Sequence, residues 1–156
     1  FHGAPEEADF RALSAKWYEL SDFLVNVLKV ESVAGKYAGE VTYHDSCSGL
    51  RELGIKSQPR ALLAKTGATI TEMNDSEKCC GFGGTFSIKL GEISTRMAEN
   101  KCQHVHNSGA GTLVLGDLGC MLNIEGRLRR GGDTKTQVMH IAEILAGDTA
   151  SGTPGS

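Results

Sequence analysis

From Glu40 to about Leu145 the chain alternates short β-type runs with helical-period runs, and this alternation limits its fold more than any other feature. Val41-Thr42-Tyr43-His44, Thr69 to Met73, Thr112 to Leu115 and Gln137-Val138-Met139 read as strands, each bounded by Gly, Pro, Asn or Asp. Between them fall helical segments. One starts at Pro59 and stops near Gly67. A second runs from Ser87 to about Asn107 with Leu90, Ile93, Met97 and Val105 inward and Gly109 beyond its end. A third is capped by Asp117 and carries Leu118, Met121, Leu122 and Leu128, and a fourth covers Ile141 to Leu145. The order β-α-β-α-β-α-β-α demands crossover connections, so the expected fold is a small Rossmann-like α/β layer: a mostly parallel sheet of about four strands flanked by helices, strand order open.

A chain of 156 residues, 40% hydrophobic and 22% charged, with mean hydropathy of −0.20, has the composition of a globular domain and can bury a core. Its net charge of −3 spreads no basic field for phosphate backbones, which excludes nucleic acid as an expected partner. No apolar run approaches the ~20 residues of a membrane helix, and Phe1-His2-Gly3 shows no signal-peptide pattern, so a cytoplasmic address is expected. A chain that starts at Phe1 reads as processed or as a fragment of something longer. Three regions are expected: a helical lead-in over 1–35, the α/β domain over 36–148, and a disordered tail over 149–156, whose last six residues, Ser151 to Ser156, read as a frayed end or cloning remnant. In the lead-in, Phe10, Leu13, Trp17, Leu20, Leu24 and Val27 recur at steps of three and four, which predicts one amphipathic helix, or two joined near Ser21, packed on the sheet or on another domain.

The chemistry lies in the cysteines. There are five, an odd number without an export signal, which argues against a disulfide scaffold and for metal binding or redox work. Cys47 falls just past the first predicted strand, Cys79 and Cys80 past the second, Cys120 past the third, and His140 past the fourth. Carboxyl ends of parallel strands hold the ligand crevice, so Cys47, Cys79, Cys80 and Cys120 are expected to converge there as metal ligands. Adjacent thiolates repel unless a cation or cluster lies between them. The following Gly81-Phe82-Gly83-Gly84 lets backbone pass close to a bulky inorganic group and offers N–H groups to sulfur, so Gly81, Gly83 and Gly84 join the candidate cofactor-binding set. Cys120 falls in the first turn of a helix, where the dipole favours thiolate. His44 and His140 flank the same edge as further ligand or supporting candidates. Cys102 lies well inside a helix on the fringe of its apolar stripe and reads as a small hydrophobe.

Thirty-one residues separate Cys47 from Cys79, and thirty-nine separate Cys80 from Cys120. With His44-Asp45-Ser46-Cys47-Ser48-Gly49-Leu50-Arg51, Cys79 to Phe86, Gly116-Asp117-Leu118-Gly119-Cys120 and Met139-His140-Ile141-Ala142-Glu143, this spacing resembles the cysteine-rich CCG domain. That domain occurs in heterodisulfide reductases and in the iron-sulfur subunits of glycolate oxidases, and the nearest likeness is to the lactate utilisation protein A branch. The resemblance implies an iron-sulfur electron-transfer subunit, itself non-catalytic, of an L-lactate or other 2-hydroxy acid oxidising complex. It implies other subunits of that complex as partners, together with an N-terminal repeat of the same kind, this chain being the C-terminal one. Relatives hold four-iron clusters through five cysteines, ending the repeat in Cys-x-x-Cys. Here Asn123 stands where the last cysteine would be, which leaves open a four-thiolate cluster, a zinc held by some of the thiols, or a site emptied by air, with Asn123 or His140 as replacement ligand.

The competing readings are a zinc-stabilised interaction module without redox activity, and metal-free dithiol chemistry at Cys79-Cys80. Phosphate binding by the glycine loop is not indicated, since no P-loop Lys-Ser/Thr follows.

Overall fold

The structure, a computed structural model, describes residues 2–147; the expected tail over 149–156 lies outside them. Four strands form one all-parallel sheet in the order β2-β1-β3-β4, where β1 is Glu40–His44, β2 Thr69–Ile70, β3 Thr112–Leu115 and β4 Gln137–His140. Eight helices flank it among the described residues, which gives the α/β class expected from the alternation. They are α1 (Glu7–Ser14), α2 (Leu20–Asp22, running into a π-helical turn over Phe23–Val27), α3 (Cys47–Leu53), α4 (Ser57–Thr66), α5 (Thr85–Lys89), α6 (Gly91–Ser108), α7 (Leu118–Arg130) and α8 (Ile141–Ala146). None is long and apolar enough to cross a membrane.

Because successive strand residues face opposite ways, each strand feeds two cores. Val41, Tyr43, Val114 and Met139 pack with Leu62, Leu63, Ile141, Ile144 and Leu145, beneath α4 and α8. Leu113, Leu115 and Val138 pack on the other face with Met73, Val105, Ile124 and Leu128, beneath α6 and α7. The strand order reverses between β1 and β3, so their carboxyl ends open onto a crevice.

Several local expectations shift. β2 stops at Ile70, since after Thr71 N–H bonds the Val41 carbonyl the chain leaves the sheet for the turn that precedes the vicinal cysteines. Pro59 is the third residue of α4, not the first; Gly67 closes that helix in the left-handed conformation, as expected. The helix expected from Ser87 is interrupted at Leu90 (φ −123°, ψ 51°). The break resets the helical phase, so Ser94, Ala98, Lys101, Cys102 and Val105 face inward while Leu90 and Ile93 are exposed. In α7 the Asp117 cap fixes a phase that buries Cys120, Ile124 and Leu128 and leaves Leu118 and Leu122 outside. The lead-in stripe also splits: α1 buries no residue, whereas Leu24, Val25, Val30 and Val33 pack against the α4/α8 core.

The loop leaving β1 is anchored by charge. Asp45 is 2% exposed and both its carboxylate oxygens accept from Arg60 of α4, at 2.8 and 2.9 Å. Arg60 also donates to Glu72 and stacks on the Tyr43 ring at 5.1 Å. One residue later, Ser46 caps α3 by accepting from Gly49 N–H at 3.2 Å, which sets Cys47 as the first residue of that helix. Arg60→Met leaves the Asp45 carboxylate buried without its counter-ion, and urea denaturation is expected to show a loss of about 3–5 kcal/mol. A loss within a few tenths of a kcal/mol, about 0.3 or less, would mean that the pair does not hold this loop.

Candidate metal centre

Strand geometry delivers the first donor. Val41 and Tyr43 belong to the α4/α8 core, so Thr42 and His44 face the α6/α7 side, and His44 is wholly buried there. Its Nδ1 lies 3.1 Å from the Ser76 carbonyl oxygen. A carbonyl only accepts, so Nδ1 carries the proton and Nε2 presents a lone pair. That Nε2 is buried with no hydrogen-bond partner. It lies with the Cys80 and Cys120 sulfurs in a group whose ligand atoms are all within 4.8 Å of one another.

The two sulfurs of that group are 3.2 Å apart and share a proton. The hydrogen bond from Cys120 brings the Cys80 thiol down to about 4 against the cost of its burial, helped by the Phe82 N–H. Cys120 is driven up, first by the same shared proton, then by burial and by Asp117, whose carboxylate accepts from Cys120 N–H at 2.8 Å. The coupling holds the Cys80 thiol down and Cys120 up, and the Asp117 carboxylate opposes the dipole advantage expected for Cys120.

Cys79 turns the other way. It interacts with Cys47 and feels the Cys80 charge, and its sulfur accepts from Gly81 N–H at 3.3 Å; burial raises its pKa. One sulfur pair is therefore in direct contact, Cys80 with Cys120, while Cys79 interacts with both Cys80 and Cys47. Cys47 and Cys79 lie outside the compact three-residue group.

Gly81 has a reason of its own. At φ +89°, an added Cβ would sit 2.7 Å from the Ser94 carbonyl oxygen and 2.9 Å from Met97 Cβ, so the loop lies directly on α6. Ser94 Oγ donates to the Gly81 carbonyl at 2.7 Å. Gly83 and Gly84 also take positive φ and lead into α5. The remaining candidates have other tasks. Asn123 donates to the Cys80 carbonyl at 3.0 Å, and His140 caps α8 through Ala142 N–H at 3.2 Å. Cys102 bonds the Ile124 carbonyl at 3.8 Å, and burial raises its thiol to about 11.

Lys101 escaped the sequence reading altogether. Only 2% exposed, it donates to the Asp75 carbonyl at 2.5 Å and the Ser76 carbonyl at 3.3 Å, so Ser76 is gripped from both sides by His44 and Lys101. Burial lowers its pKa, opposed by Cys80, Asp75, Asp45 and Cys120. A lysine inside a polar helix carries no sequence mark of burial. His44 was legible, since strand alternation alone places it opposite Val41 and Tyr43.

Thiolates with one tautomer-fixed imidazole suit a borderline or soft metal, and the orphaned Nε2 is the lone pair such a metal would take. The fold and site define a class: a parallel α/β domain that brings Cys80 and Cys120, from segments following two different strands, to one buried point beside a strand-end histidine. Residues 41–125 match the family model described as "CCG: Cysteine-rich domain", and the chain belongs to that family. It is 48% identical over 147 residues to lactate utilization protein A of Geobacillus kaustophilus (strain HTA426), covering 93% of this chain and 61% of that protein. Against the protein of the same name from Bacillus subtilis (strain 168) it is 45% identical over 147 residues, with the same 93% and 61% covered. The chain thus spans about three fifths of the length of these relatives.

In the metal-free, reduced chain, absorbance at 240 nm should report one thiolate that persists on acidification until about pH 4, because a lowered pKa keeps Cys80 charged above that value. Cys80→Ser should remove this signal, and Cys120→Ala, which removes the donor, should return its midpoint toward the ordinary thiol range; a midpoint unchanged in Cys120→Ala contradicts the shared proton. Gly81→Ala should cost about 2 kcal/mol or more in thermal or urea unfolding, since the strained φ and the Ser94 contact act together.

Proposed function

We propose that this chain is the iron-sulfur-binding, electron-transferring part of a protein that serves lactate oxidation, with Cys47, Cys79, Cys80 and Cys120 as cluster ligands and His44 beside them. The observation that carries the reading is the number of donors: the Cys80 and Cys120 sulfurs in contact, Cys79 and Cys47 interacting beside them, and an unpartnered imidazole nitrogen exceed the four positions of a single zinc. A cluster bound there would accept and release single electrons, as a subunit must when a 2-hydroxy acid is oxidised by two. The chain's own residues prepare the place. Burial of Cys80, Cys120 and His44 excludes water, N–H groups of Gly81 and Phe82 bond sulfur, and Lys101 supplies a buried positive charge. The names of the relatives, lactate utilization protein A, support the substrate class.

The partner surface is read from the same edge. Ile88, Ile93, Leu118 and Leu122 are each more than half exposed, on the helices that follow the glycine loop and Asp117. Such an apolar rim around buried ligands suits coverage by the remaining two fifths of a full-length relative and by other subunits of the complex.

One observation favours a zinc reading: among the described residues, His44, Cys80 and Cys120 alone are close enough to hold one ion. Metal and acid-labile sulfide analysis after anaerobic purification separates the two. Iron with sulfide and a visible band bleached by dithionite is expected, with iron falling at least about twofold in Cys47→Ser or Cys79→Ser. Zinc without sulfide, retained in Cys47→Ser, would replace the cluster by a structural ion.

A further inference from the structure

A cavity of about 420 Å³ opens beside Cys79, walled by Arg51, Asp75, Lys78, Met97, Lys101 and His104. Its charge is opposite to that of the chain, which carries −3 overall. Asp75 is its one carboxylate and is committed within the wall, 2.8 Å from Lys78 Nζ and 3.9 Å from His104 Nε2. Lys101 donates only to main-chain carbonyls and meets no carboxylate within ion-pair distance among the described residues. Arg51 makes no hydrogen bond or ion pair among the described residues, and His104 Nδ1 is buried without a partner. A guanidinium left free beside an unpaired imidazole nitrogen and a buried ammonium is an arrangement that oxyanions complete. Met97 adds an apolar wall, which a bare inorganic ion would leave unused.

We propose that this cavity binds a small organic carboxylate, its anionic end on Arg51 and the lysines and its short apolar body against Met97, next to the Cys79 sulfur. The assignment rests on the cavity of the metal-free chain. A thiol in the wall makes it directly testable, because iodoacetate is itself a small carboxylate and iodoacetamide its neutral counterpart.

The reduced, metal-free 156-residue chain is alkylated with each reagent and modification of Cys79 followed by peptide mass spectrometry. Iodoacetate is expected to saturate, and propionate to protect Cys79 from it. In Arg51→Gln the iodoacetate rate should fall about fivefold while the iodoacetamide rate stays as it was, since only the attraction of charge is lost. Lys78→Gln, altering an exposed side chain, should lower the iodoacetate rate in the same sense. Equal rate ratios in the wild type and both variants, with no protection by propionate, overturn the proposal. Protection by inorganic phosphate at concentrations about tenfold below those of propionate overturns the carboxylate assignment in favour of a phosphate site.

Discussion

Parallel pairing of β1 with β3 is the constraint on which the site depends. The register sets His44 opposite Leu115, so both strands end at the same level and the segments that follow start from one edge. An antiparallel pair would send one of those loops to the far side of the sheet. The crossover through α4, β2 and α6 then returns the chain so that the vicinal cysteines enter the crevice between the two ends. Residues forty positions apart, Cys80 and Cys120, come to 3.2 Å by topology rather than by local sequence.

Gathering sulfur and imidazole in a dry place has an electrostatic cost, and the surrounding chain answers it with fixed polar groups. The Ser76 carbonyl accepts from His44 Nδ1, Asp45 N–H and Lys101 Nζ, and thereby ties the turn before the cysteines to β1 and α6 at once. Asp45, next to His44, is neutralised by Arg60, so its charge does not oppose thiolate formation as a free carboxylate would. One shared proton lets Cys80 ionise while Cys120 stays neutral, which avoids two adjacent buried anions.

How far the sequence could be read depended on whether a residue's position follows from periodicity or from packing phase. Thr112–Leu115 and the end of α6 at Gly109 were legible because strand composition and a left-handed glycine are local signals. Leu90 and Ile93 looked inward by hydrophobicity, yet the helix is broken at Leu90 and both are exposed, as are Leu118 and Leu122 on the helix that Asp117 caps. Ser94 bonding Gly81 and Cys120 meeting Cys80 go with those phases, and a helical wheel contains neither.

The sequence by itself determined the alternating architecture, the carboxyl-edge location of Cys47, Cys79, Cys80 and Cys120, and the likeness to a cysteine-rich family, because each is written in residue type and spacing. Only the tertiary structure decided that Cys80 and Cys120 meet while Cys47 and Cys79 stay outside their group, that His44 rather than Asn123 or His140 offers the nitrogen, and that Lys101 is buried. Those outcomes are set by which backbone carbonyls and side chains lie across the crevice. Partners of that kind come from elements far apart along the chain, and nothing local to a residue encodes them.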